Sequence, residues 1–266
     1  KAEKAKTEFV STVSHELRTP LTSIKGSLGL VKAGALGPLT DKQTSMIEIA
    51  YNNCERLVLL INDILDLEKI EAGKMDYQMR EVEAVPLLAE CVASMQSYAD
   101  QFDVTIENHT LLQNATINVD ENRLVQVMTN LMSNAIKFSD PNEKVRVIAE
   151  DHQGALRITI SDNGSGIPDD AKPTIFDKFT QADSSDVRRT GGTGLGLSIT
   201  KNMVEHMQGS IHFTSTQGVG TDFWVEFPLI SATPLIDHDP SQMPKRVLVV
   251  EDDLDYAKVI KKQLQE

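Results

Sequence analysis

A histidine followed by a glutamate, His15 and Glu16, lies in a stretch whose apolar residues recur at three- and four-residue steps. This spacing predicts an amphipathic helix over residues 9–31. Pro20 falls inside it and should clash with the carbonyl four residues earlier, so we expect the helix to bend beside His15. A titratable ring next to a carboxylate and a helix defect is typical of a functional site, and also of a solvated histidine near a packing kink.

Two amides and an ammonium share one face of a second predicted helix, over residues 121–138. Asn130, Asn134 and Lys137 are four and three residues apart, so they project from the same side. Amide oxygens and an ammonium suit a phosphate chain and its Mg²⁺. A solvated polar face is the common alternative for such a triplet.

A glycine-rich turn follows a predicted strand and reads DNGSGIP, with Asp162 ahead of Gly164 and Gly166. Glycines allow a planar ligand to come close to the backbone. The carboxylate can accept a hydrogen bond from an exocyclic amine such as that of adenine. Many hairpins use the same pattern, so this turn alone is weak evidence.

A second glycine-rich turn, GGTGLGL at residues 191–197, opens another predicted helix. Backbone N–H groups and the helix dipole attract phosphate there, although the spacing is neither that of a P-loop nor that of a dinucleotide fingerprint. Residues 176–190 before it are predicted to form a mobile lid. The alternatives are a flexible loop for the glycines and plain core packing for Phe176 and Phe179.

Composition limits the class of protein and of partner. The 266 residues suffice for about two domains, and the net charge of −13 argues against nucleic acid and against an anionic membrane surface. The richest apolar run, residues 57–67, is interrupted by polar residues and should not span a membrane. Cys54 and Cys91 are expected to be reduced. We expect a cytoplasmic fragment of a longer protein, whose N-terminal region could be membrane-anchored.

Two long helices should begin the chain, the second over about residues 42–71 with Thr40 or Asp41 as its N-cap. The apolar residues of the second helix follow the three-four spacing of a coiled-coil seam. A lone hairpin buries too little apolar surface, so we expect two copies to pair as a four-helix bundle, which predicts a homodimer. Packing on the rest of the chain is the weaker alternative.

The remaining chain is predicted to form an α/β sandwich, which makes the whole an α+β multidomain protein. The predicted strands are residues 75–82, 104–109, 115–119, 145–150, 155–161, 209–216 and 221–227. The further predicted helices are residues 85–101, 121–138 and 195–207. The predicted domains are a hairpin (1–73), an α/β domain (74–228), a proline-containing linker (229–244) and a strand followed by a helix (245–266).

In their order, these clusters resemble the motifs of the sensor histidine kinase family, over residues 9–227. The similar segments are 14–21 (H box), 130–138 (N box), 162–166 (first glycine box), 176–179 (F box), 192–196 (second glycine box) and 220–221 (late glycine box). Residues 245–253 resemble the start of a receiver domain, as in a hybrid kinase. A receiver cut off at this point cannot bury its sheet, so we expect it to be inert.

The resemblance implies an ATP-binding domain of the Bergerat fold and a protein-histidine kinase that uses ATP and Mg²⁺. The phosphoryl group would pass to His15 and then to an aspartate of a receiver domain, either of a response regulator or of the same chain. Glu16 would hold the other ring nitrogen of the histidine. Thr19 would orient a water for the reverse phosphatase reaction.

The resemblance also implies a set of nucleotide-binding residues. Asp162 would contact adenine, Asn134 would hold Mg²⁺, and Asn130 and Lys137 would contact the phosphates. The rest of the set is Phe138, Gly164, Gly166, Ile167, Lys178, Phe179, Arg188, Gly192, Thr193, Gly194, Leu195, Gly196, Leu197 and Thr221. Gln181 stands where many relatives carry a phosphate-binding arginine, so a nearby basic residue would supply the charge: Lys178, Arg188 or Arg189.

Two other functions remain open from the sequence. A different ATPase with the same nucleotide fold, such as a chaperone or topoisomerase relative, would lack the upstream His-Glu helix. A non-enzymatic dimeric scaffold would have no affinity for ATP. The sequence leaves open the input signal, the downstream regulator, and whether His15 is phosphorylated within one chain or across the dimer.

Overall fold

A computed structural model describes residues 2–180 and 193–235, with side chains from residue 12 onward except that of His15. The first of the two units of the chain, Lys1–Pro234, is compact. Several sequence predictions lie outside the described residues. They concern Gln181, Arg188, Arg189, Gly192, the linker from residue 236 onward and the receiver-like segment 245–266.

Two antiparallel helices form a hairpin, α1 (Ala2–Lys32) and α2 (Asp41–Glu71). A capping box opens α2: the Thr40 hydroxyl accepts the backbone N–H of Gln43, and the Gln43 side chain accepts that of Thr40. Thr40 is therefore the N-cap. Pro20 lies inside α1, which continues through it. No helix among the described residues has the length and apolarity needed to cross a membrane.

Polar pairs across the hairpin report how its two helices are aligned. From the open end toward the loop they are Arg18–Asn62 (2.8 Å), Lys25–Glu55 (2.8 Å) and Lys32–Glu48 (3.6 Å). Successive pairs are about two turns apart on both helices. Exposed pairs of this kind add little stability, but they fix the register. Continued toward the N-terminus, the register puts His15 level with Leu65, between Asp63 and Asp66.

The rest of the first unit is an α/β domain. Its described strands are β1 (Arg80–Glu83), β2 (Thr105–Thr110), β3 (Leu112–Val119), β4 (Lys144–His152), β5 (Ala155–Asp162), β6 (Ser210–Thr216) and β7 (Gly220–Pro234). Its described α-helices are α3 (Ala84–Asp100), α4 (Glu121–Phe138) and α5 (Gly196–His206). A 3₁₀ turn, Lys172–Thr174, precedes the F-box segment.

The strands form one sheet in the order β1-β3-β7-β5-β4-β2, and β6 pairs with the first half of β7. Every pair is antiparallel except β2 with β4. Every second residue of β5 is buried, because side chains alternate between the faces of a strand. The buried residues of α3, α4 and α5 join those of the strands in one apolar core. The predicted architecture, a helical hairpin followed by an α/β sandwich, is confirmed.

One predicted strand was wrong in its first half. Residues 75–79 are irregular, and β1 begins only at Arg80. Their alternating apolar side chains pack against the core instead, Met75 buried and Tyr77 half-buried. The N–H of Gln78 donates to the Asp120 carboxylate (2.7 Å) and so has its partner outside a strand ladder. This segment connects the hairpin to the α/β domain.

The predicted linker was wrong at its start. Residues 229–234 continue β7 and pair with β3, where Leu229 lies opposite Ile117. Leu229 also packs against the apolar core. Prolines at residues 228 and 234 suggested an unstructured segment, but proline is tolerated at strand ends and irregular positions. The composition gave no sign of the distant strand that pairs here.

This boundary can be tested by shortening the chain. A chain ending at residue 228 should lose the pairing with β3 and the burial of Leu229, so its free energy of unfolding should fall by roughly 2 kcal/mol or more. A chain ending at residue 234 is the matched control and should keep its stability. Urea unfolding followed by circular dichroism measures both, and equal midpoints would contradict the assignment of residues 229–234 to the sheet.

Candidate functional site

Asp162 ends β5 with its side chain buried, 8% exposed. Its Oδ1 accepts the backbone N–H of Gly164 (2.9 Å) and that of Thr221 (3.2 Å). Thr221 lies directly opposite Asp162 in the pairing of β5 with β7. Two adjoining chain segments therefore hold this carboxylate in a fixed orientation at the end of a central strand.

Burial raises the pKa of Asp162 to about 6, because desolvation disfavours the charged form. The two backbone N–H bonds favour the charged form and oppose this shift, and the Asp222 charge adds to it. An acid with a strongly perturbed pKa is a recognised sign of a functional position. At neutral pH the ionised carboxylate is held here at a cost in stability.

The turn after β5 contacts the end of α4 backbone to backbone. A Cβ added at Gly164 would lie 2.0 Å from the carbonyl oxygen of Phe138, which also accepts the N–H of Ser165 (3.3 Å). A Cβ at Gly166, whose φ is +67°, would lie 2.2 Å from the carbonyl oxygen of Thr216. Only glycine fits either position. The turn is thus confined between α4 and the β6–β7 hairpin.

The same turn is tied to β6 by a hydroxyl that the sequence analysis missed. The N–H of Ile167 donates to Ser215 Oγ (2.8 Å), and that hydroxyl lies 2.9 Å from Thr221 Oγ1 and 3.0 Å from the Gly220 carbonyl. Ile167 is buried. Ser215 stands in a strand rich in serine and threonine, so no sequence signal distinguishes it.

The asparagine face of α4 meets the start of α5. Asn130 donates through Nδ2 to Thr200 Oγ1 (2.7 Å), and a Cβ added at Gly196 would lie 2.6 Å from Asn130 Oδ1. Glycine at the beginning of α5 therefore lets the two helices approach closely. Asn134 and Lys137 are half-buried further along the same face. Thr200, which the sequence analysis did not single out, is the residue that orients the first amide.

The loop leading into α5 folds back on the F-box segment. The N–H of Phe179 donates to the Gly194 carbonyl (2.8 Å), and the N–H of Leu195 donates to Thr193 Oγ1 (3.2 Å). Leu195 is buried and Leu197 half-buried. The Phe179 ring is 68% exposed on a backbone with φ of +61°. The side chain of Phe179 is thus available to a ligand and adds little to the core.

Phe176 behaves differently from Phe179. Its ring packs edge-on against Phe213 and Phe223, with centroid distances of 5.8 and 6.4 Å. The Lys201 ammonium lies 5.5 Å from the Phe176 ring centroid. Of the two alternatives that the sequence left open for this residue, the structure shows core packing.

An acidic face of α2, defined as Asp63, Asp66 and Glu71, contacts the α/β domain at this site. Its three pairs are Asp63 with the Thr193 hydroxyl (2.7 Å), Asp66 with the Gln126 amide (2.8 Å) and Glu71 with the Lys178 ammonium. None of these contacts could be predicted from the sequence, because their members are far apart in the chain. Predicted nucleotide residues Thr193 and Lys178 therefore face the hairpin.

Lys137 is also influenced by this face. Burial lowers the pKa of Lys137, and the nearby negative charge of Asp63 opposes that shift. Burial likewise raises the pKa of Asp63, against the hydrogen bond from Thr193 and the positive charge of Lys137. The ammonium and the carboxylate are thus close enough to stabilise each other's charged form.

The predicted phosphoacceptor lies on α1, where the structure describes the backbone of His15. Glu16 and Thr19, on the same helix, have exposed side chains. The hairpin register puts residue 15 level with Asp63 and Asp66, which contact the α/β domain. The structure therefore brings together the predicted clusters of the α/β domain and sets them against α2 at the level of His15.

Two family models match the chain. Residues 5–73 match the His Kinase A (phospho-acceptor) domain, and residues 119–231 match the histidine kinase-, DNA gyrase B-, and HSP90-like ATPase. The connecting segment, β1, α3, β2 and nearly all of β3 fall between the two matches. The helical hairpin and most of the α/β domain are therefore accounted for by separate families.

Named relatives agree with both matches. The circadian input-output histidine kinase CikA of Synechococcus elongatus is 38% identical over 97% of this chain and 35% of its own length. The sensor protein EvgS of Escherichia coli O157:H7 is 31% identical over 98% of this chain and 22% of its own length. The chain thus spans about a third or less of these relatives.

A solved structure, that of full-length ShkA in complex with AMPPNP, is 31% identical with a TM-score of 0.66, over 85% of this chain and 46% of that one. Its likeness extends over both the hairpin and the α/β domain. The chain thus matches a phospho-acceptor domain over residues 5–73 and an ATPase domain over residues 119–231, and CikA, to which it is similar over 97% of its length, is a histidine kinase.

Proposed function

We propose that this chain is the kinase portion of a hybrid sensor kinase that moves the γ-phosphoryl group of ATP to His15, and from there to an aspartate of a receiver domain. One observation carries the proposal. The Asp162–Gly164 turn contacts the end of α4 at Phe138, and Asn130 of the same helix contacts Gly196, so both clusters border α4. Asp63 of α2 contacts Thr193 at the level of His15.

Asp162 is the residue we assign to adenine. Both of its backbone bonds end on Oδ1, which leaves Oδ2 for the exocyclic amine of the base. A hydrogen bond donated by that amine would favour the ionised carboxylate and offset part of the cost of burying it. Gly164 and Gly166 keep the adjoining backbone free of side chains, and the exposed Phe179 ring would cover the nucleotide.

The phosphates are assigned to the face of α4 and the start of α5. Lys137 supplies a positive charge, Thr193 a hydroxyl, and the N–H groups before α5 a helix N-terminus that favours anions. Asn130 borders this region but already donates to Thr200. The Oδ1 of Asn130 therefore faces Gly196 at the start of α5. Asn130 would act on the phosphates indirectly, through its contact with the start of α5.

Asn134 is the residue we assign to Mg²⁺. The described residues hold no cluster of three or more His, Cys, Asp or Glu that could bind a metal ion, and Mg²⁺ commonly takes one or two protein oxygens together with substrate phosphates and water. An amide oxygen beside a phosphate site fits that chemistry. When bound, the ion would neutralise charge that develops on the phosphates.

Phosphoryl transfer depends on positioning more than on covalent assistance. A ring nitrogen of His15 would form a bond to the γ-phosphorus while the bond to the bridging oxygen breaks, and ADP would leave with that electron pair. Glu16 would accept the N–H of the other ring nitrogen, which fixes the tautomer. Thr19, one turn further, would orient water for dephosphorylation of a bound receiver.

Labelling tests the transfer. ATP labelled in the γ-position should give acid-labile, base-stable label on the protein. His15→Gln should abolish that label with nucleotide binding intact, and Asn134→Ala should slow labelling by about 100-fold or more, as expected when a charge-stabilising contact is removed. His109→Gln, at an exposed histidine of β2, is the matched control and should label normally.

The labelling outcomes separate the alternatives. Release of free phosphate with no label on the chain would identify an ATPase of another kind. Absence of ATP binding would identify a scaffold. Label that persists in the His15→Gln chain would overturn the assignment of the phosphoacceptor.

Pairing of two hairpins is the second part of the proposal. An open apolar groove of about 500 Å³ runs along the hairpin next to residue 15. Leu17, Ile24 and Leu57 line it and are each about half exposed, 47%, 49% and 47%. An exposed apolar stripe on a helix pair is typical of a surface that a second copy covers.

A charge in the groove should separate the copies. Leu57→Lys places an ammonium where the partner helix would pack, so the dimer dissociation constant should rise by about 30-fold or more. Leu59→Lys is the matched control, because Leu59 is exposed on the same helix outside the groove. Sedimentation velocity measures both, and equal behaviour of the two variants would contradict a dimer through this groove.

Asp162→Asn tests adenine recognition through its pH dependence. Because the folded pKa of Asp162, about 6, lies above the ordinary value near 4, the folded protein holds this proton more tightly. The unmodified chain therefore loses stability as pH rises from about 4 to 6. The variant does not titrate there, so its relative free energy of unfolding should increase over that range by roughly 2–3 kcal/mol.

The same variant should lose affinity for ATP, because an amide cannot match the charged acceptor for the adenine amine. Urea unfolding at pH 4, 5, 6 and 7 and calorimetric titration with an ATP analogue give the two readouts. A pH-independent stability difference would contradict the buried, titrating carboxylate. Unchanged affinity would contradict its role toward adenine.

A further inference from the structure

The carboxylate of Asp63 lies among residues that the proposed function assigns to phosphate. Its Oδ2 accepts the Thr193 hydroxyl at 2.7 Å, and Lys137 is close enough for the two charges to affect each other. A hydroxyl and an ammonium are the groups that would receive a phosphate oxygen. A carboxylate offers the same negative charge and the same kind of acceptor oxygen.

The position of Asp63 conflicts electrostatically with a bound nucleotide. The phosphates of ATP would bring several negative charges to Thr193 and Lys137, where Asp63 already contributes one. Like charges a few ångströms apart in a partly buried site repel strongly. The nucleotide and Asp63 therefore compete for the same two partners.

The contact is also held weakly enough to be displaced. Asp63 is half-buried, and both its burial and the charge of neighbouring Asp66 disfavour its ionised form, so its pKa is raised despite Thr193 and Lys137. The flanking pairs are a neutral amide on Asp66 and the ion pair of Glu71 with Lys178, whose members are about 40% exposed. Exposed pairs of this kind contribute little.

We propose that Asp63 is an internal competitor of the nucleotide phosphates, which holds the ATPase domain on α2 until ATP displaces it. The proposal rests on the proposed function, since it assumes that Thr193 and Lys137 receive phosphate. Binding of ATP removes the central contact of the acidic face. The domain is then free to move relative to α2, beside the level of His15.

The test compares Asp63→Asn with Glu55→Gln. The first removes one negative charge at the phosphate position with little change of shape. The second removes one from the same helix, where Glu55 pairs with Lys25 of α1 and lies away from the site. Both are titrated with AMPPNP in Mg²⁺ and with adenosine by calorimetry.

Asp63→Asn should bind AMPPNP about fivefold more tightly or better, the lower end of usual coupling between sites, and adenosine as before, because adenosine carries no phosphate. Glu55→Gln should match the unmodified chain with both ligands. Hydrogen exchange supplies the second readout: AMPPNP should speed amide exchange in α2 around residues 63–71 of the unmodified chain.

Each other outcome is decisive. Equal AMPPNP affinity in all three chains overturns the competition and leaves the proposed function intact. Weaker binding to Asp63→Asn also overturns it and makes Asp63 a positioning residue for the nucleotide. Absence of AMPPNP binding to every chain overturns the proposed function, and the competition with it.

Discussion

Close backbone contact at glycine is the constraint on which this site depends. A Cβ at Gly164 would lie 2.0 Å from the last carbonyl of α4, one at Gly220 would lie 2.1 Å from the Asp162 carbonyl, and one at Gly196 would lie 2.6 Å from the Asn130 amide. At Gly164 and Gly220 the neighbouring atoms are backbone, so no side chain larger than hydrogen fits, whereas at Gly196 the Asn130 side chain would have to move. The contacts join β5, β7, α4 and α5, so they turn separate motifs into one site.

Local signals were enough to predict most of the elements. α4 was predicted over its full observed range from local sequence alone, and the structure adds that Asp120 caps it. The β4–β5 hairpin was equally clear from its alternation. The predictions for residues 75–79 and 229–234 were wrong for the opposite reason. The conformation of these two segments is decided by Asp120 and by β3, which are distant in sequence. A pattern confined to a few residues carries no record of such partners.

The residues of the candidate site also fall into those that local sequence could predict and those that it could not. Residues with unusual spacing, such as the glycine turns and the asparagine face, could be found from the sequence. Ser215 and Thr200 could not, because serine and threonine are common and become partners only when strands and helices meet. The acidic face of α2 was missed because three carboxylates on a long helix are indistinguishable from a solvated surface until the opposing side chains are known.

Two carboxylates with raised pKa values stand at opposite ends of the site, Asp162 toward the sheet and Asp63 toward the hairpin. Burial disfavours the ionised form of each. In our proposal adenine would supply a donor to Asp162, while the phosphates would expel Asp63 into water, so one ligand relieves both costs by different means. A ligand shifts a conformational equilibrium only by its difference in affinity for the two states. Here that difference arises at Asp63, because its charge lies at the phosphate position only when the domain is attached to α2. Binding of the nucleotide would therefore also loosen the domain beside His15.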